Sequence, residues 1–346
     1  MSSKTTQNNS DGCLWVFLLG LFSLIIFGIS KVFFNFSSGL TIFISIIIAI
    51  QIVTKIVGKP PTKSIIIRGG VVFILLFVFQ LIVSFIFNSL KNYQPEKINF
   101  TIDESVKEKY IFENNDSILT YTSHRKWIDN YGRPYDGKMI VRKKDYLKLK
   151  NRIDTYSLKT NNNFWGNLYN YIDINDAPSL DLVRKTFDEI LKNKKLNQMQ
   201  FAEMVVTCIQ DIPYSLVLQK ECMPANSYED VYKNILLDCP DCCIGNIKYG
   251  IQNPVSFLKN LKGDCDTRTV LIYSILKSFN YDVAIVNSTF YKHSIIGINL
   301  PASGLHKVYN GKKYYLWETT AKYFEIGKLS SNFNNVSHWE VVLTSK

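Results

Sequence analysis

Three long apolar runs dominate the first ninety residues: about Cys13–Ile29, Leu40–Val57 and Val71–Phe87. Each approaches the ~20 residues that cross a bilayer as a helix. The third carries no charge between Val71 and Leu90. The pattern predicts a membrane anchor over residues 1–90 with three transmembrane helices, against the competing reading of buried helices in a soluble core. Three runs, with no small-residue cleavage site after the first, argue against a signal peptide. Lys55, Lys59, Lys63 and Arg68 flank the second connection, whereas the first holds only Lys31. The positive-inside rule then places the second connection in the cytoplasm and everything after Leu90 outside the cell. The expected localisation is a multi-pass membrane protein whose remaining chain is extracytoplasmic.

Beyond the anchor the periodicity changes. Residues 91–115 are polar and read as a linker with some helix. Ile118–Thr122 and Lys138–Arg142 alternate like strands, separated by the turn signals Asn130–Pro134 and Asp136-Gly137. Together, 91–195 reads as a linker and a small β-rich accessory region. Ser179–Asn193 places Leu180, Leu182, Val183, Phe187, Ile190 and Leu191 at helical spacing, and Leu196–Ile212 reads as a second helix closed by Pro213. A short helix over Pro254–Asn260 precedes a Gly263 turn and a helix opened by Cys265. Strands follow at Val283–Thr289, His293–Leu300, Lys313–Thr319 and Glu340–Leu343, with a hairpin at Asn310-Gly311. Helices first and an antiparallel sheet afterwards mark 196–346 as an α+β domain.

The formal charge of +11 changes this picture little, because the basic residues are dispersed. The densest patch, Arg142-Lys143-Lys144 with Lys148, Lys150 and Arg152, reads as a solvated face rather than a polyanion site, and no nucleic-acid partner is expected. Seven cysteines are present. Cys222 is expected to pair with one member of the cluster Cys239, Cys242 and Cys243, leaving the rest of that pairing and Cys208 open. Zinc is the weaker reading of the cluster, since one C-x-x-C is half a site and no second pair follows. No metal or cofactor is expected.

The candidate chemistry lies at Gly263-Asp264-Cys265-Asp266-Thr267. A cysteine between a glycine turn and a helix start meets unpaired N–H groups and the positive dipole end, which favour a thiolate. Its competing reading is a buried structural cysteine or a disulfide half. His293 opens an apolar strand that can pack on the Cys265 helix, and is the proposed general base and acid. The other histidines are placed less well: His124 among basic residues, His306 near a hairpin, His338 near the C-terminus. Glu318, one strand from His293, can accept from the second imidazole nitrogen; an edge carboxylate facing solvent is the alternative. The backbone N–H of Cys265 is the default oxyanion donor, and Tyr214 or Gln210 could add a side-chain donor or simply pack.

The segment from about Phe201 to Lys328 resembles the transglutaminase-like superfamily, a branch of the papain-like cysteine enzymes. The similar pieces are Gly263-Asp264-Cys265-Asp266 opening a helix, Lys292-His293-Ser294, Tyr315-Leu316-Trp317-Glu318-Thr319-Thr320 followed by Phe324-Glu325-Ile326-Gly327, and the upstream Gln210-Asp211-Ile212-Pro213-Tyr214. The resemblance implies a papain-like fold and a Cys-His-acid triad used on peptide or amide bonds through a thioester. Most members carry Asp where this chain has Glu318. The expected protein is thus a membrane-anchored cysteine peptidase or amidase acting on a peptide or protein. Its alternative is a catalytically silent binding or assembly module at the membrane. A transporter or sensor is disfavoured because the apolar runs hold almost no ionisable residues.

Overall fold

The computed structural model describes residues 9–33, 38–58, 105–158 and 162–346. The chain divides into two units, Met1–Lys97 and Ile98–Lys346.

In the first unit, two of the apolar runs lie in helices, α1 (Asn9–Phe33) and α2 (Ser38–Val57). Trp15, Ala49 and Val53 are buried, and the Trp15 indole N–H donates to the Gly58 carbonyl at 3.3 Å. Among the described residues, no helix is long and apolar enough to cross a membrane. This corrects the expectation of N-terminal transmembrane helices and, with it, the multi-pass localisation with an extracytoplasmic domain. The run Val71–Phe87 and most of the second connection lie outside the described residues.

The second unit is α+β. Its first sheet has the order β1-β2-β3, formed by Lys107–Glu113, Asp116–Ile128 and Pro134–Arg142. Strand β1 falls where the polar composition suggested a linker. Asn114 and Asn115, at φ 50° and 66°, make the tight left-handed turn that pairs it with β2. Helices α3 (Lys143–Thr155), α4 (Phe164–Asp176), α5 (Asp181–Lys194) and α6 (Gln198–Gln210) follow. Val183, Phe187 and Ile190 give α5 its buried stripe, whereas α6 is buried on every side from Phe201 onward. Asn197 and Gln200 start α6 with a reciprocal capping box. Trp127 of β2 donates to the Met204 carbonyl at 3.0 Å and fastens the sheet to α6.

After Pro213, a short parallel pair, β4 (Leu216–Val217) with β5 (Cys243–Ile244), frames α7 (Asp230–Asp238). Disulfides Cys222–Cys243 and Cys239–Cys242 staple this excursion and occupy Cys222 and all three cysteines of the cluster. Helices α8 (Pro254–Asn260) and α9 (Cys265–Ser278) then lead into the main antiparallel sheet, of order β10-β6-β7-β9-β8. Its strands are β6 (Val283–Ser288), β7 (His293–Ile298), β8 (His306–Tyr309), β9 (Lys312–Trp317) and β10 (Glu340–Thr344). One apolar core joins Trp127 and Met139, Leu168 and Tyr169 of α4, α6, α9 and strand residues Ile285, Ile296 and Trp317. Helix α9 is therefore central, buried from Cys265 through Leu276 at nearly every position.

Three of the six residues of the dense basic patch, Arg142, Lys143 and Lys150, are ion-paired. Arg142 donates to Glu113 and, through two nitrogens, to Asp181 at 2.6 and 2.7 Å; Lys150 pairs with Asp154 at 2.6 Å.

Candidate active site

Cys265 is the first residue of α9. Asp264 stands at the N-cap in an extended conformation and its carboxylate accepts from the Thr267 N–H at 3.1 Å. Gly263 before it is closely packed: a Cβ there would stand 3.0 Å from Phe257 ring carbons and from the Thr267 methyl. Its backbone pairs with Tyr214, and Ser215 N–H donates to its carbonyl at 3.2 Å. Arg268, fully buried, clamps this turn by donating to the carbonyls of Gly263 (2.9 Å), Ile209 (2.9 Å) and Pro213 (2.6 Å). Burial lowers its pKa to about 10.

His293 opens β7 and Glu318 follows the end of β9. Register Ile296↔Trp317 brings these neighbouring strands together. The imidazole Nε2 lies 2.9 Å from Glu318 Oε2 and 3.1 Å from Oε1, which leaves Nδ1 for another partner. Glu318 curls back on its own chain: Oε1 accepts from the N–H groups of Thr319 and Thr320, each at 2.9 Å, and from the Thr320 hydroxyl at 2.7 Å. Phe333 and Trp339 flank the imidazole at 5.2 and 5.9 Å between ring centres.

Thr269 ties the three segments together. It lies four residues after Cys265, on the same helix face. Its hydroxyl meets the Thr319 hydroxyl at 3.0 Å and the Ser294 carbonyl at 3.2 Å. One buried side chain thus links the helix of Cys265 to the residues that follow His293 and Glu318.

The electrostatics differ from the sequence expectation. Burial pushes the Cys265 thiol well above its usual range, and the neighbouring Asp266 and Asp264 push it further. The backbone N–H and hydroxyl of Ser294 work the other way, favouring the thiolate. A helix N-terminus alone suggested a lowered value, but the desolvation and flanking carboxylates that oppose it arise from packing. Burial, reinforced by the neighbouring Asp266, also raises the Asp264 carboxyl above its usual range. For His293, burial opposes the charged form, but the Glu318 charge and hydrogen bond outweigh it and raise the pKa. For Glu318, burial is outweighed by His293 and Thr320, which hold the carboxyl below its usual range.

These opposite shifts set a pH window. The raised His293 contributes stability fully below its ordinary value of 6.5 and loses it as pH rises through its folded value. The lowered Glu318 contributes fully above its ordinary value of 4.5 and loses it as pH falls through its folded value. In urea unfolding across pH, the stability difference between wild type and His293→Gln is expected to peak between 4.5 and 6.5 and to shrink on both sides. A difference independent of pH would show that the pair does not form in solution.

The two proposed oxyanion donors have separate placements. The Gln210 amide N–H₂ donates to the carbonyls of Glu318 at 2.6 Å and Phe324 at 3.2 Å, so it straps down the Glu318 segment. Tyr214 bridges Gly263 through its backbone, its ring lies 5.7 Å from the Arg268 guanidinium, and burial raises its phenol well above its usual range. The other histidines are engaged elsewhere: His124 with exposed Asp136 at 2.9 Å, His306 with the Gly304 carbonyl at 3.1 Å, and His338 stacked on Phe290.

Several residues escaped the sequence reading. Burial, followed by the charges of Cys265, Asp264 and Asp266, raises the phenol of Tyr232 on α7. Asp266 accepts from the hydroxyls of Tyr169 (2.6 Å) and Ser294, and Asn287 donates to the Tyr169 oxygen at 2.9 Å. The available signal was polar residues inside apolar strands, Asn287 in β6 and Ser294 in β7. Among the described residues no group of three or more His, Cys, Asp and Glu side chains is arranged to hold a metal ion. No protein-family profile, curated protein or solved structure matches this chain.

Proposed function

We propose that residues 98–346 form a transglutaminase-like cysteine enzyme acting on peptide or amide bonds of a peptide or protein substrate. The observation that carries the reading is the buried His293–Glu318 pair, joined to the helix of Cys265 through Thr269. Cys265 sulfur attacks the carbonyl carbon while its proton passes to His293 Nδ1, the nitrogen that Glu318 leaves free. The imidazolium then protonates the departing amine, and the C–N bond breaks to leave a thioester on Cys265. Water or a second amine attacks the thioester and releases the sulfur. Because the resting thiol is buried beside two carboxyls, this pathway needs a base, and the basic imidazole supplies it.

The same burial and flanking carboxyls favour a second reading, a catalytically silent member that serves as a binding or assembly module. Alkylation of the full-length protein by iodoacetamide from about pH 5 to 9, with the modified residue located by mass spectrometry, separates the two. The enzyme reading expects Cys265 to react faster than an ordinary thiol at neutral pH and to lose that advantage in His293→Ala. An ordinary rate and profile in both proteins would leave the silent module as the working description.

A further inference from the structure

Strand β9 ends at Trp317, so Glu318 stands one residue beyond the paired strand and begins a segment, 318–325, that groups from the first sheet and from the end of α6 hold in place. The Phe324 carbonyl accepts from three side chains: Trp317 Nε1 at 2.8 Å, Gln210 Nε2 at 3.2 Å and Asn130 Nδ2 at 3.2 Å. Lys322, four residues after Glu318, pairs with one oxygen of Asp211, and the other oxygen accepts from Arg125 of β2 at 2.7 Å. Asn130 lies in the turn between β2 and β3, and that turn is itself fixed. Asp129 Oδ1 accepts from the N–H groups of Tyr131 at 3.0 Å and Arg133 at 2.9 Å, while the Asn130 N–H donates to Glu203 of α6 at 3.4 Å. Arg125, Asp129 and Glu203 are buried, so both ties run to the core. The acyl-transfer steps above use neither Asn130 nor Asp211.

We propose that Asn130 and Asp211 are positioning residues for Glu318, through which the β1-β2-β3 sheet sets where its carboxylate meets His293. The Glu318 carboxylate is shared between the imidazole and the N–H groups of Thr319 and Thr320. It keeps both only while the backbone of this segment keeps its course. Gln210 fixes the segment at the Glu318 carbonyl, before the two threonines, and Asp211 and Asn130 fix it after them, at Lys322 and Phe324. Neither residue reaches the imidazole; each acts through the chain that carries Glu318. The other charged groups that face His293 are Asp264 and Asp266 from α9, while Phe333 and Trp339 bring no charge. The variants below leave all four in place.

The proposal rests on the acyl-transfer reading for the purpose of the His293–Glu318 pair, and its test has a readout that does not need Cys265 to react. Full-length wild type, Asn130→Ala, Lys322→Met and the double variant are labelled with ¹³C at the histidine Cε1 and titrated by NMR, the His293 signal being identified by its loss in His293→Gln. Lys322 is changed instead of Asp211 so that buried Arg125 keeps its partner, and urea unfolding follows the fold. Glu318 raises the His293 pKa, so loosening its segment lowers the titration midpoint. The double variant is expected to lower that midpoint by about one pH unit, the scale of one hydrogen bond to a charged group, and to slow Cys265 acylation by 4-nitrophenyl acetate about tenfold. Each single variant is expected to lose about threefold and carries the test if the double variant does not fold. Lys322→Arg, which keeps the cation, is expected to restore the wild-type midpoint. A midpoint unchanged in the variants overturns the proposal, and so does a loss of stability without a change of midpoint, since the ties are then structural only. Failure of the acyl-transfer reading is seen elsewhere, as Cys265 alkylation by iodoacetamide that is as fast in His293→Ala as in wild type.

Discussion

Replacing Glu318 with alanine is expected to slow acylation of Cys265 by an activated ester such as 4-nitrophenyl acetate by about 10²- to 10⁴-fold, the range contributed by a positioned general base. Glu318 performs two tasks at once. It holds Nε2 of His293 through both carboxylate oxygens, and it supplies the charge that raises the imidazole pKa against the cost of burial. Without it the buried imidazole becomes a weaker base, and nothing selects the tautomer that leaves Nδ1 free. Glu318→Asp separates these tasks. The shorter side chain cannot both reach His293 and return to the N–H groups of Thr319 and Thr320, so an intermediate loss is expected. The rate is read from the mass gained by the Cys265-bearing peptide. Acylation unchanged in Glu318→Ala would mean that the pair is structural and that His293 is not the base.

Arg268→Ala is expected to produce the largest stability loss, about 3–5 kcal/mol. Its guanidinium is enclosed and answers three backbone carbonyls at 2.6–2.9 Å, those of Gly263, Ile209 and Pro213. Truncation removes three charge-assisted hydrogen bonds, each worth about 1.5–3 kcal/mol, and leaves the Pro213 carbonyl without its donor, while the N–H groups of Ser215 and Ile212 still answer Gly263 and Ile209 and relief of the buried charge returns part of the sum. Arg268→Lys is expected to recover only part of the loss, because an ammonium cannot reproduce the planar fork that spans separate carbonyls. Chemical denaturation measures both variants. A loss below about 1 kcal/mol for Arg268→Ala would show that solvent or a local shift satisfies those carbonyls. Since the clamp holds the Gly263 turn, the same variant is also expected to slow Cys265 alkylation, whereas Glu318→Ala leaves the turn in place.

Local pattern was enough to place most elements of the second unit. Val183, Phe187 and Ile190 announced α5 because a helix with one buried face repeats its apolar positions every three or four residues. Pro254 at the start of α8 and the Gly263 turn marked boundaries through backbone restriction, which is local by nature. Strand β1 was missed because Lys107–Glu113 is an exposed strand whose partner, not its composition, makes it a strand. The membrane reading followed from hydropathy alone, and the described helices do not sustain it.

The sequence by itself determined the candidates: a cysteine after a glycine turn, a histidine at the head of an apolar strand, and a carboxylate one strand away. These depend on residue type and short-range order. Only the tertiary structure decided what those groups experience. Burial of α9 on all sides raises the thiol where the helix terminus alone would lower it. Tyr169, far upstream, reaches Asp266, and Gln210 turns to the Glu318 carbonyl instead of an oxyanion. Desolvation and long-range hydrogen bonds depend on which distant segments pack together. Elements separated by about a hundred residues in the chain leave no local periodicity from which that packing can be read.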